Sequence, residues 1–215
     1  MSAAMAKLEK PQRPFTIGVI GDSTGAAAGS WVVQVGQWVS ATYDRPVTLH
    51  PWFLGKPGYG PTWAISDGPN APVTIWNASA SGQGVAYSRQ HLQRMLPANS
   101  RPDLLFINHG HNLTSPPLVE LAPFVRDVAR GHSDAATVLM TQNRQTAETS
   151  EKHAERMEGL RAWATKFGYP LIDVWDAFNK ADLRSLVDGT GVHPTVEGYR
   201  LWGDVVTTFL GKRSG

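Results

Sequence analysis

The chain has 215 residues, 41% of them hydrophobic and 18% charged, and 20 basic against 18 acidic side chains leave a net charge of +2. That is enough apolar material for one folded domain, and it excludes a disordered chain. There is no Lys/Arg run, no cysteine and no apolar run of membrane-spanning length, which argues against nucleic-acid and membrane partners and excludes disulfides and thiolate metal sites.

Residues 1–14 are polar, carry Pro11 and Pro14, and read as a flexible leader ahead of one domain over 15–215. The leader lacks the apolar stretch of a secretory signal, so the expected location is cytoplasmic; an exported mature form or a virion-carried protein would look the same. From there short β-rich runs alternate with segments of helical period, the pattern of a parallel sheet with helices on both faces. Strands are predicted over 15–20, 47–52, 73–77, 104–108, 137–142 and 170–174. After Ser30, read as an N-cap, Trp31, Val32, Val35, Trp38 and Val39 recur on one helix face. The stretch 51–72 is rich in Gly and Pro yet carries Trp52, Phe53, Tyr59 and Trp63, and reads as a long loop. Pro123 should restart or kink the helix expected between Pro117 and Arg130. A further helix opens at Ser150, with Ala154, Met157, Leu160, Ala164 and Phe167 in its stripe, and stops at Gly168. Val196, Tyr199, Trp202, Val206, Phe209 and Leu210 give the last helix its buried side.

In an open parallel sheet, ligands bind beyond the carboxyl ends of the strands. Here the first strand runs into Gly21, Asp22, Ser23 and Thr24, the third into the 77–82 segment NASASG, and the fourth into His109, Gly110, His111 and Asn112. Three polar, glycine-bearing turns therefore fall at one edge. A serine hydroxyl is a weak nucleophile until a base takes its proton, and a neutral imidazole suits that task near neutral pH. Taken singly, Ser23 reads equally as a helix cap, and His193 before Pro194 as a cap of the last helix.

The ordered set resembles the SGNH (GDSL-like) hydrolase family. Gly21-Asp22-Ser23 matches its first block, Asn77 and Gly82 its second, Gly110 and Asn112 its third, and His193-Pro194 its last. The resemblance implies a three-layer α/β/α sandwich with a mainly parallel five-stranded sheet, one strand fewer than the six read from the chain. It also implies a serine esterase working without a cofactor, with Ser23 as nucleophile, His193 as base, and the Ser23 and Gly82 backbone N–H groups and the Asn112 amide as oxyanion donors. Short-chain acyl esters, including acetyl groups on carbohydrates, are the substrates it implies. The same acyl-enzyme would serve an acyltransferase, and a non-catalytic carbohydrate-binding or virion structural module is the reading of another class.

Two positions depart from the family pattern. Where the family has an aspartate three residues before the histidine, this chain has Thr190. The nearest acid is Asp188, expected to complete the triad; a backbone carbonyl or Asp182 would leave a dyad. Leu113 stands where an aspartate is common. Gly21 to Gly25 also fits the Gly-x-Ser-x-Gly elbow of α/β-hydrolases, but that elbow follows a central strand deep in a longer chain. His109 and His111, two apart, would share a face in extended backbone, yet no acidic cluster joins them, so no metal is expected. His109 is expected to make structural hydrogen bonds and His111 to lie near substrate. Trp52, Trp63 and Trp175, next to or within loops, are candidates to wall an acyl or sugar pocket.

Overall fold

A computed structural model describes residues 1–146 and 150–212. Its strands are β1 (Phe15–Gly21), β2 (Val47–Phe53), β3 (Gly58–Tyr59), β4 (Trp63–Ser66), β5 (Val73–Ser79), β6 (Leu104–Asn108), β7 (Ala136–Met140) and β8 (Leu171–Ile172). The helices are α1 (Ser2–Leu8), α2 (Ser23–Ala26), α3 (Trp31–Tyr43), α4 (Val85–Met95), α5 (Leu121–Gly131), α6 (Ser150–Phe167), α7 (Val174–Asn179), α8 (Leu183–Leu186) and α9 (Val196–Gly211).

Six strands pair in parallel in the order β2-β5-β1-β6-β7-β8, and β3 and β4 add antiparallel to β2. The six strands predicted from the sequence are thus present, and the sheet is wider than the five-stranded expectation. Strand β6 buries both faces, which is why its sequence runs apolar from Leu104 to Ile107 rather than alternating. In β6, Leu104 and Phe106 pack with Trp31 of α3 and Trp202 of α9 on one side, while Leu105 and Ile107 pack with Phe124 and Val128 of α5 and Leu160 of α6 on the other. Trp31 and Trp202 stack at 6.3 Å, and Trp31 meets Phe106 edge-on at 5.6 Å. The result is a three-layer α/β/α sandwich.

Two expectations differ from the structure. The leading segment is not a loose tail: α1 buries Ala4, Met5 and Leu8, and Lys7 pairs with Asp103 at 3.1 Å. The buried Arg45 guanidinium ties this end down by donating to the Leu8 carbonyl at 2.6 Å and the Ala71 carbonyl at 2.8 Å, and also to the Arg13 carbonyl. The stretch 51–72 is only partly a loop, since β3 and β4 fold back on β2 and cover an edge that would otherwise present unpaired backbone groups. Pro123 behaves as expected. A turn over 116–120 precedes α5, and the proline sits in the helix's first turn, where its missing N–H leaves no bond unmade.

The register sets up the site. Gly21, the last residue of β1, lies level with Ser79 of β5 and Asn108 of β6, so the segments leaving three neighbouring strands emerge side by side. Because β1 lies between strands that follow it in opposite directions across the sheet, this is a topological switch point, where a crevice opens between diverging connections.

Candidate active site

Ser23 is the first residue of α2, and Asp22 caps that helix. The Asp22 carboxylate is fully buried. One oxygen accepts from the Thr24 N–H at 3.1 Å and the Thr24 hydroxyl at 2.9 Å; the other accepts from the Gln142 amide at 2.7 Å. Gln142 donates as well to the Asn108 carbonyl at 3.3 Å and accepts from the His111 N–H. One buried amide therefore links the ends of β1, β6 and β7 beneath the serine. From the other side the Asn77 amide donates to the Gly25 carbonyl at 2.8 Å, and the Ser30 hydroxyl to the same carbonyl at 3.0 Å. These bonds fix the turn carrying Ser23, while its side chain stays half-buried and reachable.

His193 comes from the far end of the chain, on the segment between α8 and α9. Val187 and Pro194 form an isolated bridge, the Asp188 N–H donates to the His193 carbonyl at 2.8 Å, and the Thr195 hydroxyl caps α9 by accepting from the Gly198 N–H at 3.1 Å. Two further bonds hold this segment against the stretch after β7: the Asn143 amide donates to the Val192 carbonyl at 2.9 Å, and the Thr146 N–H to the Gly191 carbonyl at 2.8 Å. The outcome is a hydrogen bond of 2.9 Å between His193 Nε2 and Ser23 Oγ, across 170 residues of sequence.

The expected third member sits differently. His193 Nδ1 meets the Thr190 hydroxyl at 3.3 Å, and that hydroxyl bonds in turn to the Asp188 carboxylate. Asp188 is thus one hydroxyl removed from the imidazole, because its carboxylate is turned back onto its own loop, where it also accepts from the Thr190 N–H at 2.9 Å. Asp182 is occupied as the cap of α8, accepting from the Arg184 N–H at 3.1 Å.

Of the expected oxyanion donors, Gly82 lies in an exposed turn after β5 with φ of +71°, a left-handed conformation that a side chain would strain. Asn112 is half-buried beside that turn, and its amide donates to the Gln83 carbonyl at 3.3 Å. One of its two N–H groups is then spoken for and one is left. Leu113 is buried in the core beneath α4 and α5, which accounts for an apolar residue at that position.

The remaining candidates separate. His109 is buried, bonds to the Ser88 hydroxyl at 2.9 Å and has its pKa pushed down by burial, as a structural histidine does. The His111 ring lies between the Asn143 side-chain oxygen at 2.9 Å and the Gln145 amide, and stacks on His153 at 4.4 Å. With an acceptor on Nε2 and a donor on Nδ1 it is neutral, and burial drives its pKa down despite the Asp22 charge. The two imidazoles face different partners, and among the described residues no three metal-ligating side chains gather. Trp52 is buried with its N–H on the Tyr87 hydroxyl at 3.1 Å, and Trp175 is buried against His153 at 5.4 Å, so both pack rather than line a pocket. Trp63 is exposed on edge strand β4, opposite Leu49 in mid-strand and away from the carboxyl edge.

Gln142, Asn143, Gln145 and His153 carry no signal of their own in the sequence, whereas Thr190 is marked by standing where the family has its aspartate. The first two do stand at the carboxyl end of the fifth predicted strand, the edge at which ligands of such sheets gather, and that rule applied to every strand would have found them.

A model of the GDSL-like lipase/acylhydrolase family matches residues 19–201. No curated protein matches the chain. Among solved structures, a lipase/acylhydrolase from Enterococcus faecalis superposes with a TM-score of 0.67 at 15% identity, over 92% of this chain and 96% of that one. A two-domain esterase active on acetylated mannans gives 0.73 at 16% identity, over 99% of this chain and 52% of that one. An acetylxylan esterase from Geobacillus stearothermophilus gives 0.67 at 16% identity, over 94% and 96%.

Proposed function

The chain belongs to the GDSL-like lipase/acylhydrolase family and is a serine hydrolase of carboxylic esters, and from that premise we propose that it removes short acyl groups, acetyl above all, from small or carbohydrate esters with Ser23 as nucleophile. The observation that carries this reading is the 2.9 Å hydrogen bond between Ser23 Oγ and His193 Nε2. Both side chains are half-buried, so the hydroxyl is open to a substrate arriving from solvent. Esterases of the same fold that act on acetylated mannans and acetylxylan support a carbohydrate acetyl ester as the substrate class.

In the first step His193 takes the Ser23 proton as the oxygen attacks the ester carbonyl, and the backbone N–H groups of Ser23 and Gly82 with the Asn112 amide receive the developing negative charge. His193 then returns the proton to the leaving alkoxide, leaving an acyl-Ser23. In the second step His193 draws a proton from water, which attacks the acyl carbon; the bond to Ser23 Oγ then breaks as His193 returns the proton to it, releasing the acid and the free serine. The Gln142–Asp22 network matters to both steps because it holds the Ser23 turn still while charge develops.

Turnover of p-nitrophenyl acetate by Ser23→Ala tests the assignment. It falls by at least about 10³-fold, with an unchanged far-UV spectrum and melting temperature, because a triad stripped of its nucleophile keeps only binding and oxyanion stabilisation. Retained turnover in that variant refutes Ser23 as nucleophile.

A further inference from the structure

We propose that the Thr190 hydroxyl connects Asp188 to His193, so that the general base is held by a carboxylate acting through an alcohol instead of by a carboxylate in direct contact. The proposal rests on the reading of Ser23 and His193 as nucleophile and base.

The directions of the hydrogen bonds follow from counting protons. An ionised carboxylate only accepts, whereas a threonine hydroxyl has one proton to give and two lone pairs. Thr190 Oγ1 bonds to Asp188 Oδ1, and since that oxygen can only accept, the hydroxyl gives its proton there. What remains on Oγ1 is two lone pairs, shared among three groups at 3.3 Å: the Val192 N–H, the His193 N–H and His193 Nδ1. Nδ1 must therefore carry the hydrogen. That fixes the tautomer with a free lone pair on Nε2, the atom 2.9 Å from the Ser23 hydroxyl, and this is the form able to take the serine proton. When His193 becomes an imidazolium, the carboxylate polarises the hydroxyl between them and makes it a stronger acceptor.

The loop is built for this arrangement. The Thr190 N–H donates to Asp188 Oδ1 at 2.9 Å, and the Gly191 N–H to the Asp188 carbonyl at 2.9 Å. Gly191 has φ of +72°, the left-handed conformation that folds the chain back so that residues 188, 190 and 193 face one another. The bond from the Asp188 N–H to the His193 carbonyl closes the ring. Asp188 and Thr190 are thus positioning residues: neither touches the reacting atoms, and both act through the imidazole.

Steady-state kinetics of the full chain with p-nitrophenyl acetate, alongside circular-dichroism melts, test the proposal. Thr190→Val lowers kcat by about 10- to 10³-fold with KM within about twofold, since the loss falls on the base and not on substrate binding. Thr190→Ser, which keeps the hydroxyl, restores kcat to within about threefold of the parent. Asp188→Asn lowers kcat comparably, and the double variant with Thr190→Val loses no more than either change alone, because both break one chain of bonds. The decisive variant combines Asp188→Asn with Thr190→Asp. A carboxylate placed directly on Nδ1 makes residue 188 dispensable, and kcat recovers to at least one tenth of the parent. If kcat stays within about threefold of the parent in both single variants while Ser23→Ala is inactive, the connection through Thr190 is wrong and the nucleophile assignment stands. If the combined variant folds but stays as slow as Asp188→Asn, Asp188 merely shapes the loop and the proposal fails. An active Ser23→Ala overturns the underlying reading instead.

Discussion

Replacing Gln142 by leucine removes the amide that joins three strand ends while keeping the side chain's approximate volume. The two strongest of the bonds lost are those to the Asp22 carboxylate oxygen, now at 2.7 Å, and from the His111 N–H to Gln142 Oε1; the longer contacts at 3.3 Å to the Asn108 carbonyl and the Thr24 hydroxyl go with them. A hydrogen bond to a charged group contributes about 1.5–3 kcal/mol, and a stranded buried donor costs about 1–3 kcal/mol more. New apolar contact with the buried Met157 side chain, which already lies against the Gln142 N–H at 3.2 Å, offsets part of this. The expected loss is about 3–5 kcal/mol, or roughly 10 °C in melting temperature for a domain of this size. Thermal and urea unfolding followed by circular dichroism measure it. Esterase turnover falls at least about tenfold even where the protein is folded, since the Ser23 turn is no longer pinned. Gln142→Glu sharpens the test. It retains an acceptor for His111 but sets a second carboxylate against Asp22, so at pH 7 it is no more stable than Gln142→Leu. Two carboxylates that share a proton bind it more tightly folded than unfolded, and the variant therefore regains stability as pH falls. A melting temperature for Gln142→Leu within about 2 °C of the parent, with turnover unchanged, would refute this account of the network.

Two further outcomes concern the stability of the fold. Met5→Ala lowers unfolding free energy by about 2–5 kcal/mol in urea titration, as expected for a fully buried methionine; a loose leader would make the change silent. Burial, with His111 and Arg156 nearby, pushes the His153 pKa down from 6.5 to about 3. Between those values the unfolded chain takes up a proton that the folded chain refuses, so stability is full above pH 6.5 and is lost as pH falls toward 3. His109 and His111 are shifted in the same direction and steepen the loss. His153→Gln keeps an N–H for the Asn143 carbonyl, now bonded to His153 Nε2 at 3.1 Å, and flattens the slope by up to about 1.4 kcal/mol per pH unit. Identical slopes in parent and variant would show that His153 takes up its proton in the folded state.

The sheet was legible because its strands are short apolar or β-branched runs, and the central β6 is buried on both faces. A run such as Leu104 to Ile107 has no polar residue to spare, and glycine-bearing turns punctuate such runs. The ends of those runs placed Ser23, Gly82 and Asn112 at one edge and His193 at the head of a helix, but the roles expected of them came from the family resemblance, since singly each also reads as an ordinary cap or turn residue. Helix α1 and strands β3 and β4 were not legible, because they are too short to show a period and owe their order to what they dock against. Met5 is buried by the body of the domain, and Gly58 and Tyr59 pair with Phe53 and Trp52 only because β2 would otherwise be an open edge.

The supporting polar groups escaped for a related reason. Gln142, Asn143, Gln145 and His153 resemble surface residues until distant segments close over them, and nothing local distinguishes a buried glutamine from an exposed one. Their burial is nevertheless what the chemistry requires. Ser23 and His193 come from opposite ends of the chain, and neither α2, four residues long, nor the segment around Gly191 has a core of its own to fix it. Apolar packing is non-directional and cannot set a hydroxyl within hydrogen-bonding distance of an imidazole. Directional bonds can, and they run from Asp22 through Gln142 to His111, and from His111 through Asn143 to the Val192 carbonyl beside His193. Ser23 and His193 are therefore tied to one buried network by separate routes. A lost link on either route shifts one partner relative to the other, so substitutions at Gln142 or Asn143, which never touch an ester, are expected to lower its turnover.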